Sequence, residues 1–321
     1  MLLTYCLLLL GFLVLIVAGD LLVRGAVSLA LFFGISPLVI GLTIVGFGTS
    51  APELVVSLDA ALAASTDMAI GNVVGSNIAN LLLVLGLPAL IAPTNCDQTG
   101  IERNMLYVLA ATAVFIALCF FGYLHIWQGI LLLLMLAFIL VSTARRSPRD
   151  ITADIEDEAQ HKKSVWLQVL FVVIGLVGLP IGAHLIVTSG SEIARTFGVS
   201  EMVIGLTLVA LGTSLPELAA TTMAAFRGQA GLALGNVLGS CLFNLLAIMG
   251  ITMLIVPVPV PEALMKFDIW VMLAATLVLT PVFLRRAKIT RAMGAALLIV
   301  YMAYIVAVFI PGPHSVALAA L

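Results

Sequence analysis

The chain reads as an all-α membrane protein, with ten transmembrane helices in two five-helix repeats of inverted topology. Three observations carry that reading: an apolar, charge-poor composition, a motif pair that occurs twice at one offset, and a lopsided distribution of arginine and lysine. Of 321 residues, 63% are hydrophobic and 9% charged, and mean hydropathy is +1.25. A soluble domain so composed would have a largely apolar surface, so the chain is placed in a bilayer that it crosses many times. The formal net charge of -2 offers no basic patch for nucleic acid. Cys6, Cys96, Cys119 and Cys241 form no CxxC pair or metal pattern and read as free thiols. The first 19 residues are apolar but lack a basic leader and an evident cleavage signal, so they read as a retained helix.

Apolar spans bounded by charge or turn signals fall at roughly 2–20, 37–62, 69–91, 104–121, 126–143, 164–188, 202–225, 230–256, 267–284 and 292–311. The one long polar segment, 144–163, has no apolar periodicity and reads as a linker. It divides the chain into a first repeat, 1–143, and a second, 164–321. If the linker is cytoplasmic, twelve of the fourteen Arg and Lys residues gather on that side, leaving only Arg195 and Lys266 opposite. That is a strong positive-inside signal, and it puts both termini outside. Five spans is an odd number, so the second repeat enters the membrane inverted. Inverted repeats place a binding site near the midplane, between the halves.

Residues 41–54 read GLTIVGFGTSAPEL and 205–218 read GLTLVALGTSLPEL; 71–80 read GNVVGSNIAN and 235–244 read GNVLGSCLFN. The offset is 164 throughout, and no gap is needed from Phe33–Gly86 against Phe197–Gly250. These stretches define the paired motif regions 41–86 and 205–250. Each places one glutamate, Glu53 or Glu217, in a long apolar segment, where a carboxylate is costly unless a cation meets it.

The motifs supply oxygen. Thr49, Ser50 and Glu53 share a helix face at i, i+1 and i+4 spacing, as do Thr213, Ser214 and Glu217. Pro52 and Pro216 lack an N–H and are expected to free the carbonyls of Gly48 and Gly212, with Gly46, Gly48 and Gly212 easing local unwinding. In the second motif, Asn72, Ser76 and Asn80 form a polar stripe at i, i+4 and i+8, repeated by Asn236, Ser240 and Asn244. The accompanying glycines, Gly71 with Gly75 and Gly235 with Gly239, suit close approach of a neighbouring helix. For Asn72 and Asn236, interhelical bonding and ligation both stay open. Ser76, Asn80, Ser240 and Asn244 read as ligands, because their helices directly follow the glutamate helices. Such an all-oxygen set, without a His or Cys cluster, suits a hard cation such as Ca²⁺, which takes about 6–8 oxygens. Two glutamates balance one Ca²⁺ or two Na⁺.

GTSxPE and GNxxGSxxxN, each present twice among ten helices with a central cytoplasmic loop, resemble the alpha repeats of the cation/calcium antiporter superfamily. The chain is most similar to its sodium/calcium exchanger branch, short prokaryotic type. The resemblance implies a secondary active antiporter, not an enzyme, that exchanges Na⁺ for Ca²⁺ by alternating access. It implies Ca²⁺ ligation by Thr49, Glu53, Thr213 and Glu217. It also implies one Na⁺ site from Gly46 (carbonyl), Thr49, Ser50, Glu53 and Ser76. The mirror site would comprise Ala210 (carbonyl), Thr213, Ser214, Glu217 and Ser240, with Asn80 and Asn244 between the two. The first and sixth helices would slide across the other eight. No cofactor is implied beyond the transported ions, and no partner beyond lipid and inorganic cations. Short loops suggest a prokaryotic inner membrane.

The chain departs from that family at one place: exchangers carry an Asp on one second-motif helix, whereas Asn80 and Asn244 are both amides. An amide resembles a protonated acid, so a source of pH sensitivity is removed. Alternatives on the same scaffold are an H⁺- or K⁺-coupled antiporter and a passive cation channel. An intramembrane hydrolase would need two acids with divergent pKa values, which symmetric acids do not supply. Asp59 reads as a solvated helix-end acid, Asp20 as interfacial with Arg24, His184 as a polar residue near a helix end, and the acidic run of 144–163 as solvated linker.

Overall fold

The computed structural model describes residues 2–145, 164–198 and 210–309. These form helices α1 (Leu2–Phe33), α2 (Pro37–Thr49), α3 (Ala51–Leu62), α4 (Thr66–Ile91), α5 (Ile101–Cys119) and α6 (Ile126–Arg145). After the linker come α7 (Val165–Thr196), α8 (Ala210–Thr213), α9 (Leu215–Phe226), α10 (Ala230–Ile255), α11 (Glu262–Leu284) and α12 (Arg291–Phe309). Among the described residues, eight helices are long and apolar enough to cross a membrane, and α2 with α3, bent by 41°, makes a ninth if the pair is taken as one broken span. The remaining expected span, 202–225, is described only from α8 onward, so the beginning of the second glutamate motif lies outside the described residues. The chain is an integral membrane protein, all-helical in its spans.

Two helices run well past their expected ends. The first continues to Phe33 and the sixth to Thr196, 32 residues each. Charge at Asp20 and Arg24 does not stop α1, because the two pair along the helix at i and i+4, 2.8 Å apart. Hydropathy reports where lipid ends, whereas a helix continues while its hydrogen bonds are made.

Small residues determine how α1 and α7 meet. A Cβ on Gly182 would lie 3.0 Å from the Gly11 carbonyl, and one on Gly175 would lie 2.9 Å from that of Ala18. The two backbones therefore touch along most of their length. Each has only 33% of its most apolar stretch buried, against 83% for α10. The pair thus lies at the margin of a core centred on α4 and α10, filled by Ile78, Phe115, Leu246 and Phe283.

Pairs of short strands, not expected from sequence, tie the halves together at both ends of α5. β1 (Thr94–Asn95) pairs antiparallel with β4 (Lys288–Ile289), and β2 (Tyr123–Leu124) with β3 (Val258–Pro259). At the β1–β4 end, Arg286 bridges to Glu102 and Arg291 Nε donates to the Leu90 carbonyl at 3.1 Å. That end also carries residues 145 and 164, so it is called the linker face below.

The second-motif glycines behave as expected in α10. A Cβ on Gly235 would stand 2.3 Å from the Leu38 carbonyl and one on Gly239 would stand 2.4 Å from that of Leu42. Helix α10 of the second half therefore packs backbone to backbone on α2 of the first. We predict that Gly239→Leu destabilises the protein by about 1–3 kcal/mol or more, as overpacking does. A thermal melt in detergent reads this. Gly19→Ala, whose new methyl would make ordinary 3.5 Å contacts, should leave the melting temperature near that of wild type.

Candidate cation site between the two halves

The glutamate helices break immediately before the glutamates. Helix α2 ends at Thr49, Ser50 takes φ -83° and ψ 5°, and α3 starts at Ala51. Ser214, at φ -87° and ψ 0°, does the same between α8 and α9. Pro52 and Pro216 therefore occupy the first turn of a new helix, where a missing N–H is tolerated, rather than kinking a continuous one. The expected glycine unwinding differs too. Gly46 and Gly48 stay helical, and their smallness serves close packing: a Cβ on Gly46 would lie 3.0 Å from the Gly239 Cα. Further irregularity comes from π turns at Gly41–Val45, Asn80–Val84 and Phe243–Ile248. π turns recur at functional sites, and here two of them hold Asn80 and Asn244.

Around these breaks the structure collects most of the expected residues. Glu53 and Glu217 are fully buried, in the first turns of α3 and α9. Thr49, Ser50, Ser76, Asn80, Ser214, Ser240 and Asn244 are buried as well, while Thr213 is half-buried. Ala210 begins α8. Glu53 and Glu217 are near enough to interact electrostatically.

The hydrogen bonds cross between halves. Ser50 Oγ donates to Glu217 Oε1 at 3.0 Å. Thr49 Oγ1 donates to Asn236 Oδ1 at 3.1 Å and lies 3.4 Å from Ser240 Oγ. Ser240 Oγ also reaches the Gly46 carbonyl at 3.4 Å, and Thr49 Oγ1 reaches it at 3.5 Å. Ser240, which the resemblance groups with Ala210, Thr213, Ser214 and Glu217, thus meets Thr49 and the Gly46 carbonyl of the other half. The physical reason is the glycine contact above, which seats α10 on α2 of the other half.

Asn72 and Asn236 both make the interhelical bonds that sequence left open. Asn72 Nδ2 donates to the Glu53 carbonyl at 3.3 Å and to Ser57 Oγ at 2.9 Å. Asn236 Nδ2 donates to the Glu217 carbonyl at 3.3 Å and to Thr221 Oγ1 at 2.9 Å. Each amide thereby fixes a glutamate backbone to the following helix. Ser57 and Thr221 were not singled out from sequence. Their signal was present: each follows its glutamate by four residues, and they recur at the same offset of 164.

Several buried polar atoms in this cluster have no hydrogen-bond partner among the described residues: both carboxylate oxygens of Glu53, Oε2 of Glu217, and both side-chain amide atoms of Asn80 and of Asn244. Among the described residues no Lys, Arg or His is buried, and neither glutamate is in an ion pair. Two carboxylates in a low-dielectric interior need positive charge, and the described side chains supply none. Carboxylate, hydroxyl, amide and carbonyl oxygens converge there, which is the chemistry of a hard-cation site.

Asp59 lies near the end of α3, as expected, whereas His184 stands well inside α7 rather than near a helix end, because that helix continues to Thr196. Asp59 and His184 are exposed, and all four cysteines are free, with Cys241 buried beside Ser240. Asp20 pairs with Arg24, as expected, and also with Arg227.

The family described as "Sodium/calcium exchanger protein" matches residues 3–144 and again 167–310. Among curated relatives, "Sodium/calcium exchanger MaX1" of Methanosarcina acetivorans is 32% identical over 95% of this chain and 98% of its own. "Inner membrane protein YrbG" of Escherichia coli is 36% identical over 89% of this chain and 90% of its own. A solved structure of the sodium-calcium exchanger NCX_Mj, soaked with 2.5 mM Na⁺ and 0.1 mM Ca²⁺, superposes with a TM-score of 0.82 at 31% identity, covering 95% of this chain and 98% of that one. On the match across both halves, this chain belongs to the sodium/calcium exchanger family, a family of membrane antiporters rather than enzymes.

Proposed function

We propose that the protein exchanges Na⁺ for Ca²⁺ by alternating access at one site between Glu53 and Glu217. The observation that carries this is a pair of buried carboxylates with no buried cationic side chain among the described residues. The transported ion supplies the missing charge, either as one Ca²⁺ or as Na⁺ ions in its place. Thr49, Glu53, Thr213 and Glu217 ligate Ca²⁺. The Na⁺ ligands are drawn across the halves: Ser240 joins Gly46 and Thr49, and by the same two-fold relation Ser76 joins Ala210 and Thr213. Ser50 and Ser214 stand at the helix breaks beside the carboxylates. Asn80 and Asn244 turn amide oxygens towards the centre.

The two halves, 1–143 and 164–321, are inverted repeats of five spans, and the linker 144–163 is cytoplasmic with both termini outside. Support comes from the offset of 164, which relates the breaks, the π turns and the asparagine bonds alike. The basic residues Arg24, Arg227, Arg286 and Arg291 at the linker face fit that orientation. The name of the relative YrbG supports an inner-membrane location. Helices α1 and α7 are the moving unit: they pack closely on each other and lie at the margin of a core tied by β1–β4 and β2–β3.

Transport of ⁴⁵Ca²⁺ into Na⁺-loaded proteoliposomes tests the reading. Uptake should require an outward Na⁺ gradient, persist when the external medium is K⁺ or choline, and vanish in Glu53→Gln and in Glu217→Gln. Uptake driven by a proton or K⁺ gradient and indifferent to Na⁺ would refute the coupling; a gradient-independent leak would refute antiport.

The paired amides remove one titrating group from the site. Asn244→Asp should add one: exchange should resemble wild type at acid pH, where the new carboxyl is protonated, and diverge from it as pH rises and a third negative charge enters the cage. Wild-type and variant profiles that coincide across the pH range would contradict this. Asn72→Ala removes two bonds worth about 0.6–2 kcal/mol each, so it should lower the melting temperature while leaving half-saturating Ca²⁺ within about twofold of wild type.

A further inference from the structure

Asp20 is the only acid in α1. Its carboxylate accepts from Arg24 on the same helix and from the guanidinium of Arg227, which caps the C-terminal end of α9. Helix α9 carries Glu217 in its first turn. The Asp20–Arg227 pair therefore ties the proposed moving unit to one of the two site helices, at the linker face.

The tie is one-sided. At the offset of 164, the counterparts of Asp20 and Arg227 are His184 and Ala63, which cannot form an ion pair with one another. The packing is one-sided as well. Gly19 of α1 sits against α9, where a Cβ would be 3.5 Å from both the Ala219 carbonyl and Met223 Cβ. The counterparts of Ala219 and Met223 on α3 are Val55, 57% exposed, and Asp59, also exposed. So α1 covers α9 at the linker face, while the equivalent stretch of α3 is uncovered at the opposite face. Beside the ion pair lies a cavity of about 440 Å³ lined by Arg24, Ser28, Gln168, Phe171, Arg227 and Gln229. Its polar lining lets both charges rehydrate when the pair separates, which keeps the tie breakable within a transport cycle.

We propose that Asp20 and Arg227 form a latch that holds the linker-face passage closed and biases the cycle towards the state open at the opposite face. This rests on the alternating-access reading above. The two residues act as positioning groups: they touch no transported ion but set which face sees the site. Because apparent affinity at a face scales with the fraction of protein open there, the latch predicts opposite changes at the two faces when it is removed.

The test measures half-saturating Ca²⁺ for Na⁺-driven exchange separately at each face, in oriented membrane vesicles of both polarities. In Asp20→Asn the value should fall at the linker face relative to the opposite face, changing their ratio by about two- to fivefold, the range of a partly exposed ion pair. Arg227→Gln should give the same shift and guards against misfolding of the α1 variant. The double variant should add nothing further, and Arg227→Lys should keep the wild-type ratio. An unchanged ratio, including an equal change at both faces as general loosening would produce, overturns the latch. Wild-type vesicles without Na⁺-dependent Ca²⁺ exchange overturn the exchange reading itself, and the latch with it.

Discussion

The structure depends on two negative charges held where water does not reach. Moving an isolated carboxylate into a low-dielectric interior costs several kcal/mol even after relaxation, and this chain does so twice, at Glu53 and Glu217. A protein built for stability alone would place a basic side chain beside them, and none of the buried described residues is basic. The remaining features of the core follow from this. The helices break at Ser50 and Ser214, the Ser50 hydroxyl reaches Glu217, and the following helices are pinned through Asn72 and Asn236 so that the acids hold their places. In the proposed function, that deficit of positive charge is what would make binding of a mobile cation favourable.

Crossed packing turns that deficit into a shared site. Helix α10 reaches α2 of the opposite half because Gly235 and Gly239 leave room for backbone carbonyls. As a result Thr49 and Ser240, from different halves, meet at the Gly46 carbonyl. A site assembled in this way is intact only when both halves are in register. The short strands at both ends of α5 and the Arg286–Glu102 bridge hold that register. Helices α1 and α7, packed on one another at the margin, stay separable from it. In the proposed cycle, division of the molecule into a tied core and a peripheral pair would let access change while the ligands keep their geometry.

Much of this was legible in the sequence, for physical reasons. An ionisable residue in an apolar span is so costly that its presence already signals a use, and a second copy at a fixed offset signals symmetry. Glu53, Glu217 and the oxygen-rich residues around them were therefore readable at once. The role of Asn72 and Asn236 was not, because an amide serves equally as a ligand or as a bond between helices, and only the positions of Ser57 and Thr221 distinguish the two. Sequence also did not reveal that Ser240 meets the Gly46 carbonyl: a helical period says which residues share a face, but not which helix that face meets. The ends of α1 and α7 were misplaced because hydropathy falls at Asp20 and again from Thr188 to Glu192 while backbone hydrogen bonding continues. Two-residue strands carry too little pattern to be seen.

In the proposed function the cargo cation is the missing counter-charge for Glu53 and Glu217. Thermal unfolding in detergent, with chelator and then with saturating Ca²⁺, compares wild type with the Glu53→Gln/Glu217→Gln double variant. The double variant should be the more stable protein in chelator, because two uncompensated charges are gone. Ca²⁺ should raise the wild-type transition, by about 2.7 kcal/mol at a hundredfold excess over its dissociation constant, and leave the double variant unmoved. A double variant that is less stable than wild type in chelator, or that Ca²⁺ still stabilises, would show that the cation is not the missing counter-charge.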